Sequence, residues 1–272
     1  MPLILTHGYP DSFLRFSRLI PLLTDPGAHG GDPADAFDVV VPSLPGFGFW
    51  SRPDSDGATF RVGDLWHELM IGELGYRRFG AHGGDWGITV TEHLARSHAG
   101  SVVGIHLTDV PFWHAFQRPD DLSPAEEKQL AATDDFMMKR GAYAMIQGTR
   151  PLTLAQGLMD SPAGLAAWLV EKFQSLGDCE GDVEKRSTLD ELLTNIMVYW
   201  TAPTGPRSCP TTTSRRPERR AGSSAAGRLR VGPISCLPGV TDGGEACGIF
   251  RTVQCCASPG ESARERGPEG WR

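Results

Sequence analysis

Over residues 1–119, short apolar runs alternate with segments whose apolar residues recur at helical spacing. The apolar runs are typical of buried strands, and they end in loops rich in glycine and proline. Strand, helix and strand in this order predict an α/β fold with a parallel sheet and crossover helices. The predicted strands are PLILTHG, DVVVPSLPG, RRFGAHGG and VVGIHLTD, and the predicted helices are WGITVTEHLARS and VGDLWHELMIGELG, the latter with Leu65, Leu69 and Ile71 near one apolar face.

Residues 120–200 have a different pattern, because helices alone are predicted there. Ser123 and Ser161 each stand directly before a proline, which is common at the first position of a helix. Ser123 and Thr188 are each followed three residues later by glutamate, which is the arrangement of a capping box. A helical block that follows a strand of the sheet is expected to form an inserted cap.

The last segment, residues 201–272, has no lasting helical or strand pattern. It contains 11 glycines and 8 prolines but no tyrosine, histidine or asparagine, and all 11 of its basic residues are arginine. One interpretation is a disordered extension. The other is translation in the wrong reading frame, because GC-rich codons read out of frame yield this composition. Either way we expect an irregular tail and an incomplete sheet, and a start inside a strand suggests a truncated N-terminus.

The charge and the cysteine content indicate which classes of partner and which cellular location the chain favours. Residues 1–200 hold 27 acidic and 15 basic side chains, which argues against nucleic acid as the main partner. No apolar run approaches the length of about 18 residues that a membrane span needs, and no basic region marks a signal peptide. Cys179 is the one cysteine before residue 201, which suits the reducing cytoplasm. Neither H-x-x-x-H nor paired C-x-x-C occurs, so we expect no metal and no cofactor. The oligomeric state is not indicated.

The stretch GGDWG lies between a predicted strand and a predicted helix. A nucleophile between very small residues at such a corner is the pattern of a nucleophile elbow, in which the helix amides face the nucleophile. Here Asp85 occupies that position. A carboxylate attacks strained or activated carbon centres, such as epoxides and carbon–halogen bonds, and forms an ester. Taken alone, the stretch equally fits a turn or N-cap aspartate. The flanking residues are Gly83, Gly84, Trp86 and Gly87.

A second motif, His7-Gly8-Tyr9-Pro10, follows the first predicted strand. In such a fold the loop after that strand supplies one backbone N–H of an oxyanion hole, and the residue after the nucleophile supplies the other. Those groups would be the amides of Tyr9 and Trp86. Because both motifs lie at predicted strand ends and in the right order, together they favour the catalytic interpretation of Asp85.

Together these motifs resemble epoxide hydrolases of the α/β-hydrolase fold, specifically the microsomal-type branch with its fungal and bacterial relatives. PLILTHGYPDSF is similar to the oxyanion loop of that family, and GAHGGDWG is similar to its nucleophile elbow. GAYAMIQGTRPLTLAQGLMDSPAGLAAWLVEKF and TLDELLTNIMVYW are similar to its cap. The resemblance extends over residues 2–200. Haloalkane dehalogenases share the elbow, including Asp followed by Trp, but not this cap.

The resemblance implies a hydrolase that opens a small apolar epoxide through an aspartyl ester. Asp85 would attack an epoxide carbon, and Tyr143 would be one of two cap tyrosines that hydrogen-bond the epoxide oxygen. Taken alone, Tyr143 is typical of an aromatic residue on a helix surface. Trp86 would supply its amide, and its side chain could equally be a packing residue.

The chain departs from the family after the cap. The family hydrolyses the ester with water that a histidine activates and an acidic residue orients, and both residues follow the cap. Here the last histidine is His114, and no tyrosine follows Tyr199. His82 and His106 are expected to be hydrogen-bonded core residues. We therefore expect impaired turnover; the alternatives are a non-catalytic truncated or frameshifted product, or a haloalkane dehalogenase-like hydrolase.

Overall fold

A five-stranded sheet forms the centre of the computed structural model, which describes residues 1–50, 58–109, 120–202 and 253–255. Its strands are β1 (Pro2–Thr6), β2 (Asp38–Val40), β3 (Phe79–Gly83), β4 (Val102–Leu107) and β5 (Val253–Cys255). They are ordered β2-β1-β3-β4-β5, with β1 to β4 parallel and β5 antiparallel to β4. The predicted α/β class with a parallel sheet is confirmed. β5 lies in the tail, where no element is predicted, and the rest of residues 203–272 lies outside the described residues.

Helices follow the strands and fill residues 120–200. The α-helices are α1 (Leu19–Thr24), α2 (Ala58–His67), α3 (Trp86–Ser97), α4 (Pro124–Lys139), α5 (Ala142–Thr149), α6 (Pro151–Asp160), α7 (Pro162–Leu176) and α8 (Leu189–Thr201). A π-helix, Glu68–Glu73, continues α2, and short 3-10 helices occupy Phe13–Phe16, Pro26–His29, Pro33–Asp35 and Val183–Lys185. Within the described ranges, no helix is both long enough and apolar enough to cross a membrane.

The sheet brings two loops together at one edge. All residues of β3 are buried, and this strand pairs with β1 on one side and β4 on the other. Thr6, the last residue of β1, pairs with Gly83, the last residue of β3. Because the carboxyl ends of parallel strands meet at one edge, the loop after β1 lies against the turn after β3.

The buried face of α2 differs from the predicted one. Leu65 is 44% exposed, whereas Val62, Trp66 and Met70 are buried. These three residues are spaced by four, so they form one stripe, and the indole Nε1 of Trp66 donates a hydrogen bond to Thr6 Oγ1 at 3.1 Å. The largest apolar side chain therefore sets the orientation of the helix. Leu69 and Ile71 pack at the margin of the core.

The helix starts predicted for residues 120–200 are confirmed. Ser123 with Glu126 and Thr188 with Glu191 form complete capping boxes at the starts of α4 and α8. The Ser161 hydroxyl accepts a hydrogen bond from the amide of Gly164 at the start of α7. These signals act within four residues, so tertiary contacts did not override them.

The helices of residues 120–200 share a hydrophobic cluster with the sheet. Leu165 and Leu169 of α7 and Ile196 of α8 lie in the same cluster as Ile4 and Phe79. The predicted domain boundaries, 1–119, 120–200 and 201–272, stay predictions.

Candidate active site

Asp85 occupies the corner between β3 and α3. Its backbone has φ 53° and ψ −121°, a conformation that side chains other than glycine rarely adopt. Such strain persists where the surrounding structure holds the backbone in place, and it is the geometry of a nucleophile elbow. Asp85 directly precedes α3, and the dipole of this helix favours negative charge at its N-terminal end.

Close backbone approach explains three glycines of the two motifs. A Cβ atom on Gly8 would overlap the Asp85 carboxylate, and one on Gly83 would overlap the carbonyl oxygen of Gly87. A Cβ on Gly87 would in turn overlap the carbonyl oxygen of Thr6. Around Gly84 there is more room, since the nearest atom, Thr108 Oγ1, would lie 2.9 Å away. Glycine is therefore needed at these positions because the two loops pack against each other.

We expect Gly87→Ala to destabilise the fold by about 2 kcal/mol or more, because the added methyl overlaps backbone that cannot move aside. Helix propensity alone predicts the opposite sign. The control is Gly157→Ala in α6, where the added methyl has no atom within 4 Å. There we expect a gain of about 0.5–1 kcal/mol. Chemical denaturation measures the change in the free energy of unfolding for both variants. A Gly87→Ala variant that is more stable than the unchanged chain would contradict the close approach.

Two backbone amides donate to the Asp85 carboxylate. The Tyr9 amide donates to Asp85 Oδ1 at 2.8 Å, and the Trp86 amide also donates to this carboxylate. The two predicted oxyanion-hole groups thus converge on one side chain. Asp85 is accessible to solvent, yet the surrounding protein desolvates it and raises its pKa to about 6; the two amides and the charge of Arg15 act in the opposite direction.

His7 is a structural part of the loop after β1. It is fully buried, its Nε2 accepts a hydrogen bond from the Leu44 amide at 3.1 Å, and its Nδ1 lies 3.1 Å from the Gly8 carbonyl oxygen. Burial lowers the pKa of His7 to about 4, so the ring is neutral and Nδ1 donates to Gly8. Further along this loop, the peptide bond between Tyr9 and Pro10 is cis. The Pro10 carbonyl oxygen accepts a hydrogen bond from Asn195 Nδ2 at 3.0 Å.

Tyr143 of α5 lies close to this loop. Its half-buried ring stacks on Tyr9, with ring centroids 6.3 Å apart and planes at 20°. Burial raises the pKa of Tyr143 to about 12, and the negative charge of Asp85 adds to the shift. The phenol therefore keeps its proton at neutral pH and can act as a donor near the carboxylate.

Sequence reasoning missed a buried lysine beside Tyr143. Lys172 of α7 is 8% exposed, and its Nζ lies 5.0 Å from the ring centroid of Tyr143 and 4.7 Å from that of Trp168. Lys172 also pairs with Glu171, while Trp168 donates from Nε1 to the Tyr9 hydroxyl at 2.6 Å. Residues 120–200 thus contact the loop after β1 through the rings of Tyr143 and Trp168, and Lys172 lies against both rings.

Sequence reasoning also missed an ion pair beside Asp85 in the segment that follows β1. Arg15 pairs with Asp11, whose side chain is 15% exposed, and the charge of Arg15 acts on Asp85. Burial raises the pKa of Asp11, and Arg15 opposes this effect. Within the motif PDSFLR these residues are four apart, which is a signal for an ion pair but not for a place beside a nucleophile.

His82 and His106 form a hydrogen-bonded pair on neighbouring strands. Their Nδ1 atoms lie 2.7 Å apart, so one ring donates and the other accepts. Burial, followed by the nearby His106, lowers the pKa of His82 to about 4. His82 also meets the ring of Phe16 edge to face. This environment agrees with the expectation of a core histidine.

Comparison with known proteins gives consistent matches. The chain is 46% identical over 210 residues to a protein from Stigmatella aurantiaca whose name assigns it provisionally to the epoxide hydrolases, covering 76% of this chain and 47% of that protein. It is 34% identical over 222 residues to rabbit epoxide hydrolase 1, covering 74% and 49%. The crystal structure of juvenile hormone epoxide hydrolase from the silkworm Bombyx mori superposes with a TM-score of 0.64 at 30% identity, covering 79% and 55%. No protein-family model matches the chain.

These matches confirm the resemblance predicted from the motifs. About three quarters of the chain is homologous to epoxide hydrolases and has the α/β-hydrolase fold. The chain spans about half the length of the curated relatives it matches.

Proposed function

We propose, on the premise that three quarters of this chain is homologous to epoxide hydrolases, that Asp85 opens epoxides by forming a covalent ester. The observation that carries the proposal is the pair of amides, from Tyr9 and Trp86, that bind the Asp85 carboxylate at a strained strand–helix corner. The Tyr9 amide holds Oδ1 in place, and a carboxylate oxygen attacks the epoxide carbon. A structural N-cap aspartate would instead bond the amides of its own helix alone.

The reaction needs an acid near the epoxide oxygen. When the Asp85 oxygen bonds to the carbon, the carbon–oxygen bond of the ring breaks and the ring oxygen takes the electron pair. Tyr143 donates a hydrogen bond to that oxygen, and its proton can pass to the alkoxide because a phenol is a stronger acid than an alcohol. The product is a hydroxyalkyl ester on Asp85.

Hydrolysis of this ester is the step we propose to be impaired. Water adding to the ester carbonyl carbon places negative charge on the carbonyl oxygen, which backbone amides beside Asp85 can stabilise, so the oxyanion hole serves this step. A base must still take a proton from that water. His82 has a pKa of about 4 and is a weak base at neutral pH.

The intact mass of the full chain after exposure to styrene oxide tests this function. We expect an increase equal to one styrene oxide molecule, which peptide mapping locates on Asp85. A parallel sample receives 1-chlorobutane, which would add a butyl group and release chloride if the chain were a haloalkane dehalogenase. A butyl adduct without an epoxide adduct favours that alternative, and the absence of both favours a non-catalytic product.

We expect Tyr143→Phe to slow formation of the adduct by about 100-fold, the effect of removing one donor from a developing oxyanion. The phenylalanine keeps the stacking on Tyr9. The matched control is Tyr76→Phe, which removes a phenol next to the start of β3. Adduct mass followed over time gives both rates, and a rate for Tyr143→Phe equal to that of the control would exclude Tyr143 as the donor.

The rate of adduct formation should rise with pH through about 6. The ionised carboxylate is the nucleophile, and the pKa of Asp85 is raised to about 6, so the reactive fraction is about tenfold lower at pH 5 than at pH 8. The measurement is the initial rate of adduct formation at half-unit pH steps. A midpoint near the ordinary aspartate pKa would show that the site does not desolvate Asp85.

The location and the partners rest on composition. The acidic charge of residues 1–200 supports the absence of nucleic acid as a partner, and the single Cys179 there supports a cytoplasmic location.

A further inference from the structure

Three side chains converge on the far side of α3 from the elbow. Asp64 lies on α2, His93 lies on α3, and His98 directly follows α3. The Nε2 atom of His93 lies 3.0 Å from Asp64 Oδ1, and that of His98 lies 2.8 Å from the same oxygen. The three potential ligand atoms lie within 4.8 Å of one another.

The geometry points to a zinc-class divalent metal site formed by Asp64, His93 and His98. Two imidazole nitrogens and one carboxylate oxygen are donors that Zn²⁺ prefers, and three protein ligands leave a fourth position for water. Ligands about 2.0–2.1 Å from a tetrahedral zinc lie about 3.3 Å from each other. The donor separations of 2.8 and 3.0 Å need a widening of a few tenths of an ångström only.

The cluster is accessible enough for an ion and its water. The side chain of Asp64 is 52% exposed, that of His93 29% and that of His98 22%. A metal would take the place of the hydrogen on each Nε2, and in each neutral ring that hydrogen would move to Nδ1. Binding would exchange the two hydrogen bonds to Asp64 for bonds to the metal.

Neighbouring residues orient the two imidazoles in advance. The His67 ring stacks on His98 with centroids 3.9 Å apart and planes at 14°, and His67 Nε2 lies 3.1 Å from Ser101 Oγ. At Gly63 a Cβ would collide with the His93 ring, so glycine leaves the space that this ring fills. Supporting contacts of this kind raise metal affinity by fixing ligand orientation.

Metal binding would join α2 to the C-terminal end of α3, while Asp85 lies at the N-terminal end of the same helix. An ion that binds the folded state alone stabilises it. At a zinc concentration 100 times the dissociation constant we expect the unfolding temperature to rise by about 5 °C or more.

Calorimetric titration of the full chain with zinc chloride tests the site. All cysteines that react with iodoacetamide are alkylated first, because thiolates also bind zinc. We expect one site, and a loss of affinity of tenfold or more in His93→Gln and in His98→Gln. His29→Gln, which changes an exposed histidine elsewhere, is the matched control and should bind as the unchanged chain does.

Each result either supports or overturns the site. Absence of zinc binding, or binding that neither variant weakens, overturns it. Should a glutamine variant fail to fold, Asp64→Asn changes an exposed side chain with the same shape. Its loss of the visible absorption band of tetrahedral Co²⁺, with unchanged circular dichroism, gives an independent result; a retained band overturns the site.

Discussion

Asp85→Asn is expected to remove the covalent adduct with styrene oxide completely. The amide is not a nucleophile toward an epoxide carbon, yet it has the shape of the carboxylate and can still accept from the Tyr9 amide, now 2.8 Å from Oδ1. The loss would therefore follow from the chemistry of one atom. The measurement is intact mass, with peptide mapping of the segment that contains residue 85.

Surface carboxylates provide the control for this experiment. Epoxides at high concentration alkylate exposed acids without catalysis, and Asp35 is an exposed aspartate of a 3-10 helix. Asp35→Asn should leave the adduct and its rate unchanged. An adduct of equal yield in Asp85→Asn would mean that the modification is nonspecific and that the elbow is structural.

The thermal stability of Asp85→Asn shows whether a lost adduct reflects the missing carboxylate or a failure to fold. The folded state binds a proton at Asp85 more tightly than the unfolded state does, because the pKa of Asp85 is raised to about 6. The ionised carboxylate thus costs stability above that pH, and the cost disappears as pH falls toward the ordinary aspartate pKa. We expect Asp85→Asn to melt above the unchanged chain at pH 8, with a smaller difference at pH 4.

Local signals were sufficient for much of the fold. The start of α3 at Trp86 and the caps at Ser123 and Thr188 depend on residues within four positions, so they were predictable. The face of α2 was not, because Trp66 and Leu65 are both apolar and only the contact with Thr6 decides between them.

The approach of the two loops at the candidate site was predictable for a different reason. Gly8, Gly83 and Gly87 encode the approach of two loops, and Asp85 stands in the middle of one of them. The burial of Lys172 was not predictable, since Tyr143 comes from another helix and a lysine inside an amphipathic pattern is usually solvated.

The histidine cluster escaped prediction because its side chains come from different parts of the chain. His93 and His98 are five residues apart, which is not the spacing of one helix face, and His98 joins His93 because α3 ends at Ser97. Asp64 then comes from α2, which packs beside α3. A search for H-x-x-x-H or C-x-x-C could not find this arrangement.

The full chain is expected to release at most about one diol per molecule, since loss of a catalytic base costs several orders of magnitude in rate. The ester on Asp85 needs water activated by a base, and no histidine follows His114 in the sequence. Among the described residues near the elbow, His7 and His82 have pKa values lowered to about 4, and each is engaged in hydrogen bonds. Such groups hold a proton too weakly to activate water at neutral pH.

Diol counted per chain over several hours, with styrene oxide in excess, measures this prediction. Hydroxylamine, which cleaves esters, is the positive control: it should release one diol for each adducted chain and leave a hydroxamate on Asp85. The Asp85→Asn sample should contain only the diol from spontaneous hydrolysis of the epoxide, with or without hydroxylamine, and this amount is subtracted. Tens of diols per chain that vanish in Asp85→Asn would contradict the expected block. The variants His82→Gln and His106→Gln would then show whether one of these two histidines is the base, because the variant that lacks the base would stop at one diol per chain.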